Sequence, residues 1–239
     1  MVISVFSCDS VEDCFQRSDT VVQQNIEVPS FNKILVNRDI QLILSQGTEN
    51  SVLVETNQNL IHDIEVKVME NQLQLKNNNE CAFFRDNFIT KVYISTTTKL
   101  KEIRTSSQHT VISEGVIHAD SLELISENYY DKNMLVVGDF NLEINTNLFK
   151  VLSNGISTFY ISGHTEKLIV QFWAGDSRFE GEKLLANDVI IYHRGTNDMT
   201  LYPIRSITGK ILSTGNVYCL NKPQDIDIQE SYKGRVILY

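Results

Sequence analysis

Alanine is scarce in this sequence, with four residues (Ala82, Ala119, Ala174 and Ala186), while β-branched residues and asparagine are plentiful. That imbalance disfavours long helices and suits strands joined by polar turns. Basic residues are also few: the formal charge is −9 and no basic stripe appears, which argues against a nucleic-acid partner. After the N-terminus no apolar run reaches the roughly 18 residues a spanning helix needs, so none is expected. The four cysteines show no CxxC and no Cys/His spacing, so neither a zinc site nor a disulfide framework is supported. His62, His109, His118 and His164 are scattered without ligand spacing and read as surface residues. No Ser/His/Asp arrangement, Walker loop or dinucleotide fingerprint occurs, and no cofactor is expected.

What remains is ample for a core. At 239 residues and 42% apolar content, the chain can build one large all-β domain or two smaller ones. Its start, "MVISVFSCDSVEDC", places an apolar segment and a small residue before Cys8. That is the pattern of a bacterial lipoprotein signal, in which the cysteine thiol carries diacylglycerol. The segment is too short for a complete signal and lacks a basic n-region, which a start upstream of Met1 would supply. The expectation is a lipid anchor at Cys8, with residues 1–26 as signal remnant and tether.

The strongest signal is a repeat. Gly155, Gly175, Gly195, Gly215 and Gly234 follow one another at intervals of 20, 20, 20 and 19 residues. Four residues after each stand Phe159, Phe179, Met199, Cys219 and Leu238, all apolar. Six before stand Phe149, Ile169, Val189, Gly209 and Ile228; three before, Leu152, Phe172, Tyr192, Leu212 and Ser231. Apolar columns beside polar ones at a fixed period predict stacked coils, each too small to bury its apolar face alone. The glycines are read as structural corners where a Cβ does not fit. Backwards from Gly155 the repeat weakens: Ser107 leads to Val111, and Asn128 takes the glycine's place before an inserted turn, "YYDKN".

Residues 31–100 alternate in hairpin fashion, with turns at Gln46-Gly47 and Glu70-Asn71. "NECAFFRDN" reads as a loop and "KVYISTTT" as a strand leading into the first coil. The expected architecture is all-β: a β-rich N-terminal cap subdomain over residues 27–100, then a single-stranded parallel β-helix over 101–239, a solenoid of coils of about 20 residues. "RVILY" ends the stack on an apolar strand, an edge through which copies could self-associate.

The stretches "FNKILVNRDIQLILSQG", "NLIHDIEVKVMENQLQLK" and "KVYISTTTKLKEIRTSSQHTV", the corners Ser-Asn-Gly155, Ala-Gly175, Arg-Gly195 and Thr-Gly215, and the closing "GNVYCLNKPQDI" together resemble the head GIN domain family of auto-transporter adhesins, found largely in Bacteroidetes envelope proteins. The resemblance covers about residues 27–239. It implies a single-stranded parallel β-helix on a lipidated or secreted envelope protein, and supplies no established catalytic residues.

Two kinds of site suggest themselves. The column two residues before the glycines, Ser153, Trp173, His193, Ser213 and Tyr232, alternates with the inward one and so is expected to face outward. There Trp173 over His193, beside Arg194, would make a platform for a sugar ring. Arg178 and Asp198, with Asp176 adjacent, fall in one column on neighbouring coils and read as a surface ion-pair ladder. No column stacks two acids, as a lyase or glycosidase would need. The favoured reading is a non-enzymatic envelope or surface protein, an outer-membrane or surface lipoprotein presenting a rigid face to a glycan or an envelope protein. The alternative is a carbohydrate-active enzyme, a polysaccharide lyase or hydrolase, on the same scaffold.

Overall fold

The computed structural model describes residues 20–79 and 89–239. Cys8 and most of "NECAFFRDN" lie outside the described residues. Among these residues the chain is all-β, with one turn of 3-10 helix at Ile61–Asp63 and no α-helix. The strands are β1 (Val21–Ile26), β2 (Lys33–Val36), β3 (Ile40–Gln46), β4 (Ser51–Asn57), β5 (Ile64–Met69), β6 (Gln72–Asn77), β7 (Thr90–Thr96) and β8 (Glu102–Thr105). Five long strands follow: β9 (Val111–Ser126), β10 (Phe140–Ser153), β11 (Thr158–Phe172), β12 (Arg178–His193) and β13 (Met199–Ile211). The short β14 (Val217–Cys219), β15 (Asp225–Glu230) and β16 (Val236–Leu238) close the chain.

From β9 to β13 each long strand pairs in parallel with the next. β14 and β15 then pair with the two halves of β13, and β16 with β14. The alternation of side chains explains the burial. In β10, Phe140, Leu142, Ile144 and Thr146 are buried while Asn141, Glu143 and Asn145 are exposed. After Asn147 and Leu148 the buried set resumes at Phe149, Val151 and Ser153. A strand keeps side chains of one parity on one face. Two outward residues in succession therefore mark a bend, and both halves of the strand line the same interior.

The forward column is Val111, Phe140, Phe159, Phe179, Met199, Val217 and Val236 in register. Sequence spacing finds Val111, Phe159, Phe179 and Met199 and misses Phe140 and the last two. The corners at Gly215 and Gly234 are two residues shorter, so Val217 and Val236 stand where Cys219 and Leu238 were expected. Cys219 instead lies in register with Leu201 and Leu238. A slip of two preserves the face, so Cys219 stays buried.

Backward from the glycines the spacing fails by one. Ser153, Phe172, His193 and Ile211 form the inward column in register, and all are fully buried. They stand two, three, two and four residues before Gly155, Gly175, Gly195 and Gly215. Counting a fixed distance from the glycine therefore mixes the two faces. Leu152 and Tyr192, expected inward, are half-buried on the outside, and His193, expected outward, is inside.

The N-terminal region does not fold as the expected succession of hairpins. β5 and β6 do form an antiparallel hairpin around Glu70 and Asn71, both at positive φ (48° and 67°), as a tight hairpin turn requires. β3 and β4 do not pair: β7 lies between them, parallel to β3 and antiparallel to β4. β2 is parallel to β6 and β8, and β3 to β7 and β9. The parallel stacking thus continues below β8 and β9 in the spatial order β2/β3, then β6/β7. One sheet and one apolar cluster run across residue 100. Val21–Ile26, expected in the tether, form β1 along β4, because this pairing satisfies backbone groups that β4 would otherwise leave open.

The far end is open. β15 pairs with β13 and β16 with β14, and Ile226 and Leu238 are 40% and 38% exposed because no further strand among the described residues covers them. Asp225 and Asp227 on β15 place like charges along that edge, which opposes pairing with a second copy.

Candidate functional site

The polar ladders settle which outward residues are already occupied. Arg178 and Asp198 precede the paired residues Phe179 and Met199, yet do not form the expected ion pair. Arg178 Nε lies 3.3 Å from Glu180 Oε1, and Asp198 Oδ1 accepts the Asn216 backbone N–H at 2.7 Å. Asp139 does the same for Thr158 at 2.7 Å, and Asn216 for Arg235 at 3.1 Å. These side chains hold the corner of the next strand in place. Asp176 accepts a hydrogen bond from the Thr196 hydroxyl. Asp188 is held by Arg205, whose guanidinium, helped by the Ser206 hydroxyl, brings its carboxyl down to about 2. No group of three or more His, Cys, Asp or Glu side chains among the described residues could hold a metal ion. Burial pushes the Cys219 thiol up to about 11, which makes it a poor nucleophile.

Corner serines fill part of the interior. Ser126 pairs with Ser157, and Ser153 with Ser177, hydroxyl to hydroxyl at 2.7 Å, and all four are fully buried. His193 continues the column above Ser153 and Phe172. It is fully buried, its ring 5.9 Å from that of Phe172 at 69°, and neither ring nitrogen has a hydrogen-bond partner among the described residues. Burial drives its pKa down to about 4, against the weaker pull of the Asn197 backbone and Asp198 toward the charged form. An unfolded imidazole takes up its proton near pH 6.5. Its titration therefore leaves stability unchanged above that value, and stability falls as the pH drops from about 6.5 to about 4. The loss is about 3 kcal/mol. In His193→Leu that part of the acid sensitivity will vanish, seen as a smaller drop in the urea midpoint between pH 7 and pH 4.5. An unchanged drop would refute it.

Trp173 does face water, at 44% exposure, and its partner is Tyr192, not His193. The rings lie 4.5 Å apart with planes at 39°. The Trp173 backbone N–H donates to Ser153 O at 2.9 Å and the Arg194 backbone N–H to Phe172 O at 2.8 Å, so Asn154, Trp173 and Arg194 occupy successive rungs of one outward column. Tyr192 lies in register between Gln171 and Lys210. On the rung before, Asn154 Nδ2 donates to Asn128 Oδ1 at 3.1 Å. Beyond Asn128 an exposed loop carries Tyr129 and Tyr130, edge to face at 5.0 Å, with Lys132 over the Tyr129 ring. The result is an outward ridge of aromatic rings, amides and cations. Arg194 is on it as expected and His193 is not. Tyr192 and Lys210 were missed because the count ran from the glycine. Counting back along the alternation of "DVIIYHR" from His193 on the inward face would have found Tyr192, whereas Lys210 is placed only by the register.

Gly155, Gly175, Gly195, Gly215 and Gly234 all lie between strands, against backbone of the preceding corner or the inserted loop. No helix among the described residues is long and apolar enough to cross a membrane.

No curated protein matches the chain. Among solved structures, a "putative adhesin" from Bacteroides fragilis is similar with a TM-score of 0.82 at 21% identity, over 93% of this chain and 98% of that one. A "putative adhesin" from Parabacteroides merdae gives 0.61 at 15% identity, over 92% and 97%. A "putative lipid binding protein" from Parabacteroides distasonis gives 0.60 at 14%, over 92% and 97%. These likenesses concern the fold. The family described as "Putative auto-transporter adhesin, head GIN domain" matches residues 30–223. The chain therefore belongs to the head GIN domain family of adhesin-like proteins.

Proposed function

We propose that this is a non-enzymatic protein of the bacterial cell envelope whose stacked strands form a single-stranded parallel β-helix. Its role is to hold a rigid outer face against a glycan or an envelope partner. The observation that carries this reading is the ridge around Trp173. Large exposed aromatics sit on a hydrogen-bonded scaffold, while the neighbouring carboxylates are committed to corners and ion pairs. Exposed aromatic faces on a rigid sheet bind without reorganising, which lowers the entropic cost of association. Family membership and the adhesin descriptions of similar structures support the surface location. The lipoprotein-like "VFSC" before residue 9 supports attachment through Cys8.

The test is retention of the purified protein on immobilised polysaccharides, with the chain length of each polymer measured afterwards. Retention with polymers of unchanged length is expected. Shortened polymer would establish an enzyme and overturn the reading.

A further inference from the structure

The charges around Trp173 narrow the class of ligand. In a protein of net charge −9, some exposed cations answer an acid: Lys99 pairs with Asp120, Arg205 with Asp188 and Arg235 with Glu230. Arg194 and Lys210 are exposed, and no ion pair among the described residues engages either. Both adjoin the aromatic pair. Arg194 follows Trp173 on the next rung, and Lys210 follows Tyr192 in register. Rungs are about 4.8 Å apart, so a ring resting on Trp173 brings a carboxylate at its rim to these two cations. Gln171 flanks the same rings on the other side, and its amide both donates and accepts hydrogen bonds, as sugar hydroxyls require, while the Asn154 amide is held by Asn128.

We propose that this ridge binds an acidic glycan, with a uronate or sialate ring stacked on Trp173 and its carboxylate held by Arg194 and Lys210. This rests on the adhesive reading above and adds the charge of the ligand and the residues that recognise it. A nucleic acid would need a longer basic track than two cations. A bilayer would select apolar tips without flanking amides.

The test uses the full chain against a panel of uronate- and sialate-containing oligosaccharides, each beside its carboxyl-methylated ester, with neutral glycans and anionic phospholipid vesicles as further arms. The expected result is that at least one acidic glycan binds at least about tenfold more tightly than its ester, as charge-assisted hydrogen bonds imply. Raised salt should erode that margin. Arg194→Gln with Lys210→Gln should abolish the preference while keeping the fold, and Trp173→Ala should weaken binding to acid and ester alike. Equal binding of acid and ester, binding insensitive to Trp173→Ala, capture by vesicles alone, or no binding across the panel would each overturn the proposal. Glycan retention that survives all three substitutions would overturn it while leaving the adhesive reading standing. Cleavage of a panel member would instead remove that reading.

Discussion

Gly175→Ala will destabilise the protein by about 2–5 kcal/mol, whereas Gly195→Ala will cost about 1 kcal/mol or less. At Gly175 the backbone is left-handed, with φ at +81°, and an added Cβ would lie 2.2 Å from the carbonyl oxygen of Gly155. That oxygen cannot swing aside cheaply, because it accepts the Asp176 N–H at 2.8 Å. At Gly195 the nearest obstacles are His193 Cε1 at 3.1 Å and Gly175 O at 3.4 Å, and the backbone is not left-handed. Sequence spacing treats the two corners as equals; the conformation separates them. Urea denaturation of the two variants decides the matter, and equal midpoints would refute the distinction.

Phe159→Ala is the second large effect, about 3–5 kcal/mol. The Phe159 side chain is fully buried. It stacks on Phe140 at 5.1 Å and 8°, and packs against Phe172 at 5.9 Å. In register it stands between Phe140 and Phe179, so truncation opens a void within a continuous stack of side chains that backbone hydrogen bonds keep from collapsing. Burial of such a ring is worth roughly 1.5–3 kcal/mol before the cavity is counted. The neighbouring Tyr160 points outward at 48% exposure, and Tyr160→Ala should shift stability by about 0.5 kcal/mol or less. Comparing chemical-denaturation curves of the two variants tests the in-out alternation directly. A Tyr160→Ala variant as unstable as Phe159→Ala would contradict it.

The sequence by itself determined a great deal. Its poverty in alanine and wealth of β-branched residues committed the chain to strands, and the glycine period located the five corners of the C-terminal half. The column from Phe159 to Met199 was legible because the three glycines before it stand at one distance from the strands that follow. The tight turn at Glu70 and Asn71 was legible because two residues between alternating segments leave the chain little but a hairpin.

What only the tertiary structure decided was the face of each residue before a corner, and the order of strands below residue 100. Glycine marks where backbones come close, and the residues between it and the preceding strand vary from one corner to the next. A difference of one residue reverses every side chain, which put His193 into the core and gave its place beside Trp173 to Tyr192. Likewise β3 and β4 adjoin in sequence, but β7 came between them, parallel to β3 and antiparallel to β4. Periodicity reports the length of a repeat, whereas the hydrogen-bond register, set by packing across the whole stack, determines which side of it meets water.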